Sequence, residues 1–305
     1  MPSFISSSNS LTKIKLGARI IRPIAICLFL ITLYQVLIWG GLIPPSSGIN
    51  QQQENTIKAE NYIYDRQLNP ELVLVGSSMA ARLDAQTIDS NAFNLAMGGI
   101  SSQTGLAIVQ DKPQKPALVL IEINNTIERG ANQDLLSSLY NPLFYYLRLL
   151  LPMFSQQYQP VSVFVDWLRG EDSQQGTTIE QVNPEIRNQL IAGYLESWNN
   201  NLPDELAQKI RIEAEEIKDV ISELRGEGVQ VALFEMPIAQ PLTNTIQQQQ
   251  TRKLLKELFP NNNYLWLEPP PEKDWITTDG IHLVVSEAQE YGDFLKKQLL
   301  AVESN

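Results

Sequence analysis

The chain of 305 residues is long enough for one large domain or two ordinary ones, and its 43% hydrophobic content supports a sizeable core. Acids outnumber bases 34 to 23, and the excess is uneven: residues 1–43 hold Lys13, Lys15, Arg19 and Arg22 and no acid, leaving 19 bases against 34 acids beyond. So acidic a body lacks the basic face that displaces counterions from phosphates, which argues against a nucleic-acid partner. One cysteine, Cys27, and one histidine, His282, exclude an internal disulfide and a Cys/His zinc site. No metal and no cofactor are expected.

Residues 23–43, PIAICLFLITLYQVLIWGGLI, carry no charge. As a helix they would extend roughly 31 Å, the thickness of the hydrocarbon layer of a bilayer. The four bases lie upstream, so the positive-inside rule places residues 1–22 in the cytoplasm as a basic tail and everything after the span outside it, in a periplasm or lumen. A cleaved signal peptide is the competing reading; the run is long for one, and no A-x-A site follows it. Ile26 before Cys27 and Leu28-Phe29 after it do not suit a lipoprotein signal. Residues 44–60 are rich in Pro, Ser and Gln and read as a stalk.

From residue 61 onward, short apolar runs alternate with helical patterns. Leu72–Val75, Ala92–Ala96, Ala117–Ile123, Val229–Met236 and Tyr264–Leu267 are apolar on both faces, as strands covered on both sides must be. Glu205–Arg225 repeats apolar residues at helical spacing, and a last helix is expected over about 286–300 with Ser286 as its N-cap. Such alternation implies right-handed βαβ units. The expected fold is a three-layer α/β/α, flavodoxin-like sandwich on a roughly five-stranded parallel sheet. Residues 129–200 break the alternation: they are aromatic and leucine-rich, and Pro142, Pro152 and Pro160 interrupt them. They read as a helical insertion over the sheet, packed as core, with a lid or a membrane-resting face as alternatives.

In open α/β sheets, ligands sit beyond the carboxyl ends of the strands. The residues there are Gly76-Ser77-Ser78, Gly98-Gly99, Asn124-Asn125 and, before the last helix, Asp279-Gly280-Ile281-His282. Taken singly, these serines and Asn124 read as helix caps and the glycines as turns. On one rim they also supply the parts of acyl transfer: a hydroxyl nucleophile, an imidazole base, a carboxylate to orient it, and donors for an oxyanion.

The order Gly-x-Ser, Gly, Asn, Asp-x-x-His resembles the four blocks of the SGNH (GDSL-type) hydrolase superfamily. The resemblance spans residues 70–300 but is carried by four short patches, of which D-G-I-H is the most specific. It implies Ser78 as nucleophile, His282 and Asp279 completing the triad, and an oxyanion hole from the Ser78 N–H, Gly99 and Asn124. Gly99 is preferred because the family often places this glycine five residues after an asparagine, here Asn94; Gly98 stays open. Three positions depart from the family: Ser77 stands for the usual Asp, Glu122 for a Gly, and Asn125 where Asp is common. A serine before the nucleophile is also found in membrane-anchored relatives such as the D-alanyl transfer protein of teichoic acids, and alginate O-acetylation proteins share the layout of an anchor followed by an SGNH-like domain.

The resemblance therefore implies a membrane-anchored esterase or O-acyltransferase of the cell envelope, with a polysaccharide or lipid as acyl acceptor. A catalytically inactive scaffold in an envelope assembly is the alternative, favoured if Glu122 occupies the pocket. A carboxylate there would oppose a developing oxyanion unless its side chain turns into the sheet layer.

Overall fold

The computed structural model describes residues 9–65, 67–169 and 183–303, with side chains from residue 21 onward. Residues 1–8 of the basic tail, and residues 170–182 of the insertion, lie outside the described residues. In chain order the elements are α1 (Asn9–Trp39), α2 (Gln51–Tyr64), β1 (Leu72–Val75), α3 (Ala85–Ile88), β2 (Ala92–Asn94), α4 (Ser102–Asp111), β3 (Leu118–Glu122), α5 (Gln133–Leu139), α6 (Pro142–Leu150), α7 (Pro160–Arg169), α8 (Pro184–Trp198), α9 (Asp204–Gly226), β4 (Gln230–Phe234), α10 (Gln240–Thr243), α11 (Ile246–Leu258), β5 (Leu265–Trp266) and α12 (Val285–Glu303).

All five strands run parallel, in the order β2-β1-β3-β4-β5. The sheet is buried on both faces, and alternate residues serve different layers. Val73, Val75, Val119, Ile121, Val231 and Leu233 pack with α4, α5, α9 and α11. Leu72, Leu74, Leu120, Ala232 and Phe234 pack with α8, α10 and α12. This is the three-layer α/β sandwich expected, and its strand order reverses between β1 and β3. At such a switch point the two flanking connections leave on opposite faces and open a crevice at the strand ends.

Several boundaries moved. β2 ends at Asn94 rather than Ala96, because the Asn94 side chain turns back to accept the Ala96 N–H at 2.9 Å. α12 begins at Val285, so Ser286 lies in its first turn rather than capping it. The apolar stretch of α1 runs over Ile21–Trp39, long and apolar enough to cross a bilayer, and the chain leaves the helix at Gly40-Gly41, short of residue 43.

Two expectations are corrected. Residues 51–60 are not a stalk but most of α2. Asn50 caps this helix by accepting the Gln53 N–H at 2.9 Å, and Gln53, Asn55, Thr56, Ile57, Ala59, Glu60 and Tyr62 are buried. The insertion, in turn, is core only at its two ends, α5 and α8: between them α6 buries no residue, and α7 buries only Ser162. Its prolines begin helices instead of breaking them, since Pro142, Pro160 and Pro184 each occupy a first-turn position where no N–H is needed. Polar contacts fasten it to α2. Arg148 Nε lies 3.2 Å from Glu60 Oε1, the Gln156 N–H donates to Glu60 Oε2 at 2.6 Å, and Gln53 Nε2 donates to Ser162 Oγ at 2.6 Å. Burial pushes the Glu60 carboxyl up to about 7 against the pull of those donors.

α2 is thus part of the folded unit. A chain beginning at Asn61 should show no cooperative thermal transition by circular dichroism, whereas one beginning at Pro44 should retain it.

Candidate functional site

The turn after β1 carries Gly76-Ser77-Ser78 into a short 3-10 helix, Ala80–Arg82. Ser77 is buried and Ser78 half-buried, which separates the two serines. The Ser77 hydroxyl accepts the Met79 N–H at 3.2 Å, so it is the one that serves the turn. Ser78 Oγ stands free of the backbone and lies 2.8 Å from His282 Nε2.

His282 is delivered by a loop that is nearly a hairpin. Thr277 and Leu283 form an antiparallel bridge, and the Thr278 N–H donates to His282 O at 2.8 Å. Between them Gly280 sits at φ +108°, and a Cβ there would meet Ile191 at 3.0 Å and Leu242 at 3.1 Å, so glycine is required on both counts. Asp279 Oδ1 accepts the Ile281 and His282 N–H groups at 3.0 and 2.9 Å, which leaves Oδ2 to meet His282 Nδ1 at 2.6 Å. Burial alone would raise the Asp279 carboxyl; the ring, those two N–H groups and the imidazole charge outweigh it and hold the group down at about 2. Asp279 therefore stays anionic, and its Oδ2 fixes the ring with Nε2 directed at Ser78. Arg187 of α8 supports the loop from behind through Thr277 O at 3.0 Å, a contact not legible in the sequence.

Glu122 takes neither of the two positions expected of it. It leaves β3 on the same face as Leu118 and Leu120, but instead of joining that layer it ends beneath the Gly76-Ser77 turn, only 2% exposed. Oε2 accepts the Ser77 N–H at 2.6 Å, the Ala80 N–H also donates to the carboxylate, as does the Ser77 hydroxyl, and Oε1 accepts Asn124 Nδ2 at 2.7 Å. Burial pushes this carboxyl up, and the donors from Ser77, Ala80 and Asn124 oppose that rise. It lines neither cavity beside Ser78.

Asn124 fulfils the bland role as well. Its Oδ1 caps the 3-10 helix Asn125–Arg129, accepting the Thr126 N–H at 2.7 Å and the Thr126 hydroxyl at 2.6 Å. That capping turns the amide nitrogen toward Glu122 and, at 3.8 Å, Met79 Sδ. Asn125 joins Asn124 and Ser78 in the wall of a cavity of about 280 Å³. Of the two glycines, Gly98 lines the larger cavity, about 1020 Å³, with Ser78 and His282, but its N–H is taken by Asn55 Oδ1 at 3.0 Å. Gly99, at φ +71°, and Ser78 have N–H groups without an intramolecular partner among the described residues.

Sequence reasoning missed the α2 contribution. Asn55 pairs with both polar groups of Gly98, and Gln51 covers Gly98 so closely that a Cβ there would collide with its amide. Lys58 donates to Ala96 O at 2.7 Å and lines the larger cavity, its ammonium brought down to about 8 by burial, against the charge of Glu54. Asn94 clamps the turn from β2, donating to Ala80 O and Leu83 O at 2.9 and 2.7 Å. Among the described residues no group of three or more His, Cys, Asp or Glu is arranged to hold a metal ion.

No protein-family model matches the chain, and no curated protein matches it. Solved structures similar to it include the following two. One is a provisionally named acylhydrolase from Bacteroides fragilis, 14% identical, with a TM-score of 0.40 over 84% of this chain and 98% of the other. The second is a provisionally named platelet activating factor from Streptococcus pneumonia, 11% identical, with a TM-score of 0.41 over 88% of this chain and 97% of the other. The strand order and the side-chain distances stand independently of them.

Two stability measurements check this geometry. A Cβ on Gly76 would come within 2.5 Å of Glu122 Oε2 and 2.7 Å of Ala80 Cβ, so Gly76→Ala should destabilise by about 3 kcal/mol or more in chemical denaturation. Asp279 is depressed in the folded state, so its contribution is present above about pH 4 and lost as the pH falls toward 2. Asp279→Asn should cost about 1 kcal/mol at pH 7, solvent screening at this half-buried group being allowed for, and the gap from the parent protein should close across that window.

Proposed function

We propose that the chain is a membrane-anchored serine esterase or O-acyltransferase of the SGNH type. The observation that carries the reading is the unbroken line Asp279 Oδ2, His282 Nδ1, His282 Nε2, Ser78 Oγ, with spacings of 2.6 and 2.8 Å. A serine hydroxyl is a poor nucleophile until a base receives its proton, and an imidazole is an effective base only in the tautomer that leaves Nε2 free. The anionic Asp279 selects that tautomer by accepting from Nδ1.

Ser78 Oγ attacks the carbonyl carbon of an ester while His282 Nε2 takes the hydroxyl proton. The carbonyl oxygen becomes an oxyanion, for which the unpartnered Ser78 and Gly99 N–H groups are the candidate donors, with the Asn124 amide beside them. Collapse breaks the bond to the leaving oxygen, which departs as an alcohol carrying the proton from His282. Water, or an acceptor hydroxyl, then adds to the acyl carbon with His282 as base, and Ser78 regains its proton. Glu122 is no obstacle in this scheme: it lies behind the turn, where it orders the N–H groups of Ser77 and Ala80 and orients Asn124.

The reading keeps a basic tail to residue 22, an anchor near 23–43 and a catalytic unit thereafter with its insertion at about 129–200, while residues 51–60 of the expected stalk belong to α2. The basic residues ahead of the apolar stretch of α1, and their absence just after it, support a domain outside the cytoplasm that acts on an envelope glycan or lipid.

Ser78→Ala should lower turnover of a nitrophenyl acetate by about three orders of magnitude with the thermal melt unchanged. A fluorophosphonate should label Ser78 in the parent protein. Unchanged turnover in Ser78→Ala would remove that serine from the mechanism, and a clean failure to label would favour the inactive scaffold.

A further inference from the structure

Much of the apolar surface of α6 and α7 is left exposed among the described residues. In α7, Phe164 and Trp167 stack at 5.9 Å between ring centroids yet are 56% and 73% exposed. In α6, Leu143, Tyr146 and Leu150 are likewise exposed. Patches of this kind mark contact with another apolar phase. The end of α1 indicates which phase: Tyr34 Oη donates to Tyr158 O at 2.7 Å, and Gln35 Oε1 accepts the Met153 N–H at 3.2 Å. The insertion is therefore fastened to the far end of the one helix, among the described residues, long and apolar enough to cross a bilayer.

At that junction a cavity of about 800 Å³ opens, walled chiefly by Leu42, Pro44, Ile57, Val163, Phe164 and Trp167. Asp166 is its charged wall residue, 4.0 Å from Arg169. The larger cavity beside Ser78 and His282 shares Ser47, Ile57 and Asn61 with it, so the two abut along one face of α2. Apolar space that begins beside a candidate membrane span and borders the cavity of a nucleophilic serine suits a hydrocarbon chain, which gains from every methylene it buries.

We propose that this cavity receives the fatty chain of a membrane lipid, making a long-chain lipid ester the acyl donor of the site. This rests on the esterase reading of Ser78. The step is the one given above with the lipid as ester: its acyl carbon bonds to Ser78 Oγ, its ester C–O bond breaks, and the lysolipid alcohol leaves with the proton held by His282. The acyl group then passes to water or to an acceptor hydroxyl.

The full chain, in nanodiscs of phosphatidylethanolamine and phosphatidylglycerol, tests this with a phosphatidylethanolamine bearing a diazirine on one acyl chain. With Ser78→Ala, irradiation should crosslink the probe to peptides of α7 and α2 as well as to α1. Phe164→Asp, a change at an exposed wall residue, should lower the α7 and α2 crosslinks about tenfold and leave those on α1; Val163→Trp, which fills the cavity, should do the same. Crosslinks confined to α1 would overturn the lipid site, as would crosslinks indifferent to both changes. In the protein with Ser78 intact, Phe164→Asp should lower kcat/KM for a decanoyl nitrophenyl ester about tenfold and spare the acetyl ester; equal effects on both would also overturn it. Crosslinks on α7 and α2 without turnover of either ester would support the lipid site and overturn the esterase reading.

Discussion

The site is organised around a carboxylate that has no access to water. Glu122 ends at the point where β1 and β3 diverge, and a buried carboxylate costs several kcal/mol unless donors surround it. Ser77 gives its N–H and hydroxyl, Ala80 its N–H, and Asn124 an amide hydrogen. Satisfying Glu122 therefore dictates the turn. Gly76 must lack a Cβ because the carboxylate passes where one would be. Ser77 must be small and carry a hydroxyl, which leaves the next residue, Ser78, to face outward. Ser77 and Glu122, two of the three positions that differ from the SGNH blocks, are thus one feature: a hydroxyl-carboxylate pair beneath the turn.

The other half of the site is assembled by short-range contacts. Asp279 and His282 are three residues apart, so the order of their loop costs little chain entropy once Gly280 permits the reversal. The contact between His282 and Ser78 spans 204 positions and exists only because the sheet places the β1 turn beside the loop that precedes α12. The alignment of Asp279, His282 and Ser78 therefore depends on the strand register, in which Leu72–Val75 pairs with Leu118–Ile121, and on Arg187 holding Thr277 in place. A local pair is carried to its partner by a non-local scaffold.

The same distinction explains what was legible in the sequence. Strands buried on both faces leave continuous apolar runs, so LVLV and ALVLIEI announce themselves, and residues just beyond such runs are the natural place to look for chemistry. Asp279 and His282 were readable because their relation is local. α2 was not, because its inward face is polar: Gln53, Asn55, Thr56 and Glu60 are buried by hydrogen bonding, which hydropathy does not register. Its one sequence sign was Asn50 followed by Gln53, a capping pair. The prolines of the insertion misled for a related reason, since proline forbids a helix interior but favours a helix start. The direction taken by Glu122 depends, besides nearby Asn124, on Ser77 and Ala80, 45 and 42 residues away, and no local pattern encodes that.

α2 also links the two regions that matter most. Through Gln53 and Glu60 it holds the insertion, by Ser162, Gln156 and Arg148; through Asn55 and Lys58 it holds the loop after β2, by Gly98 and Ala96. These are directional bonds with narrow tolerances in length and angle. A single helix of four turns is stiff over its own length, so the insertion and the glycine turn beside Ser78 are held at a fixed separation. Because the insertion is fastened in turn to the end of α1 by Tyr34 and Gln35, the height of the site above that helix is set by the structure itself rather than by a flexible tether. An enzyme on a loose stalk would sample acceptors over a wide radius. On the proposed reading, one held in this way meets only what lies at the surface from which α1 emerges.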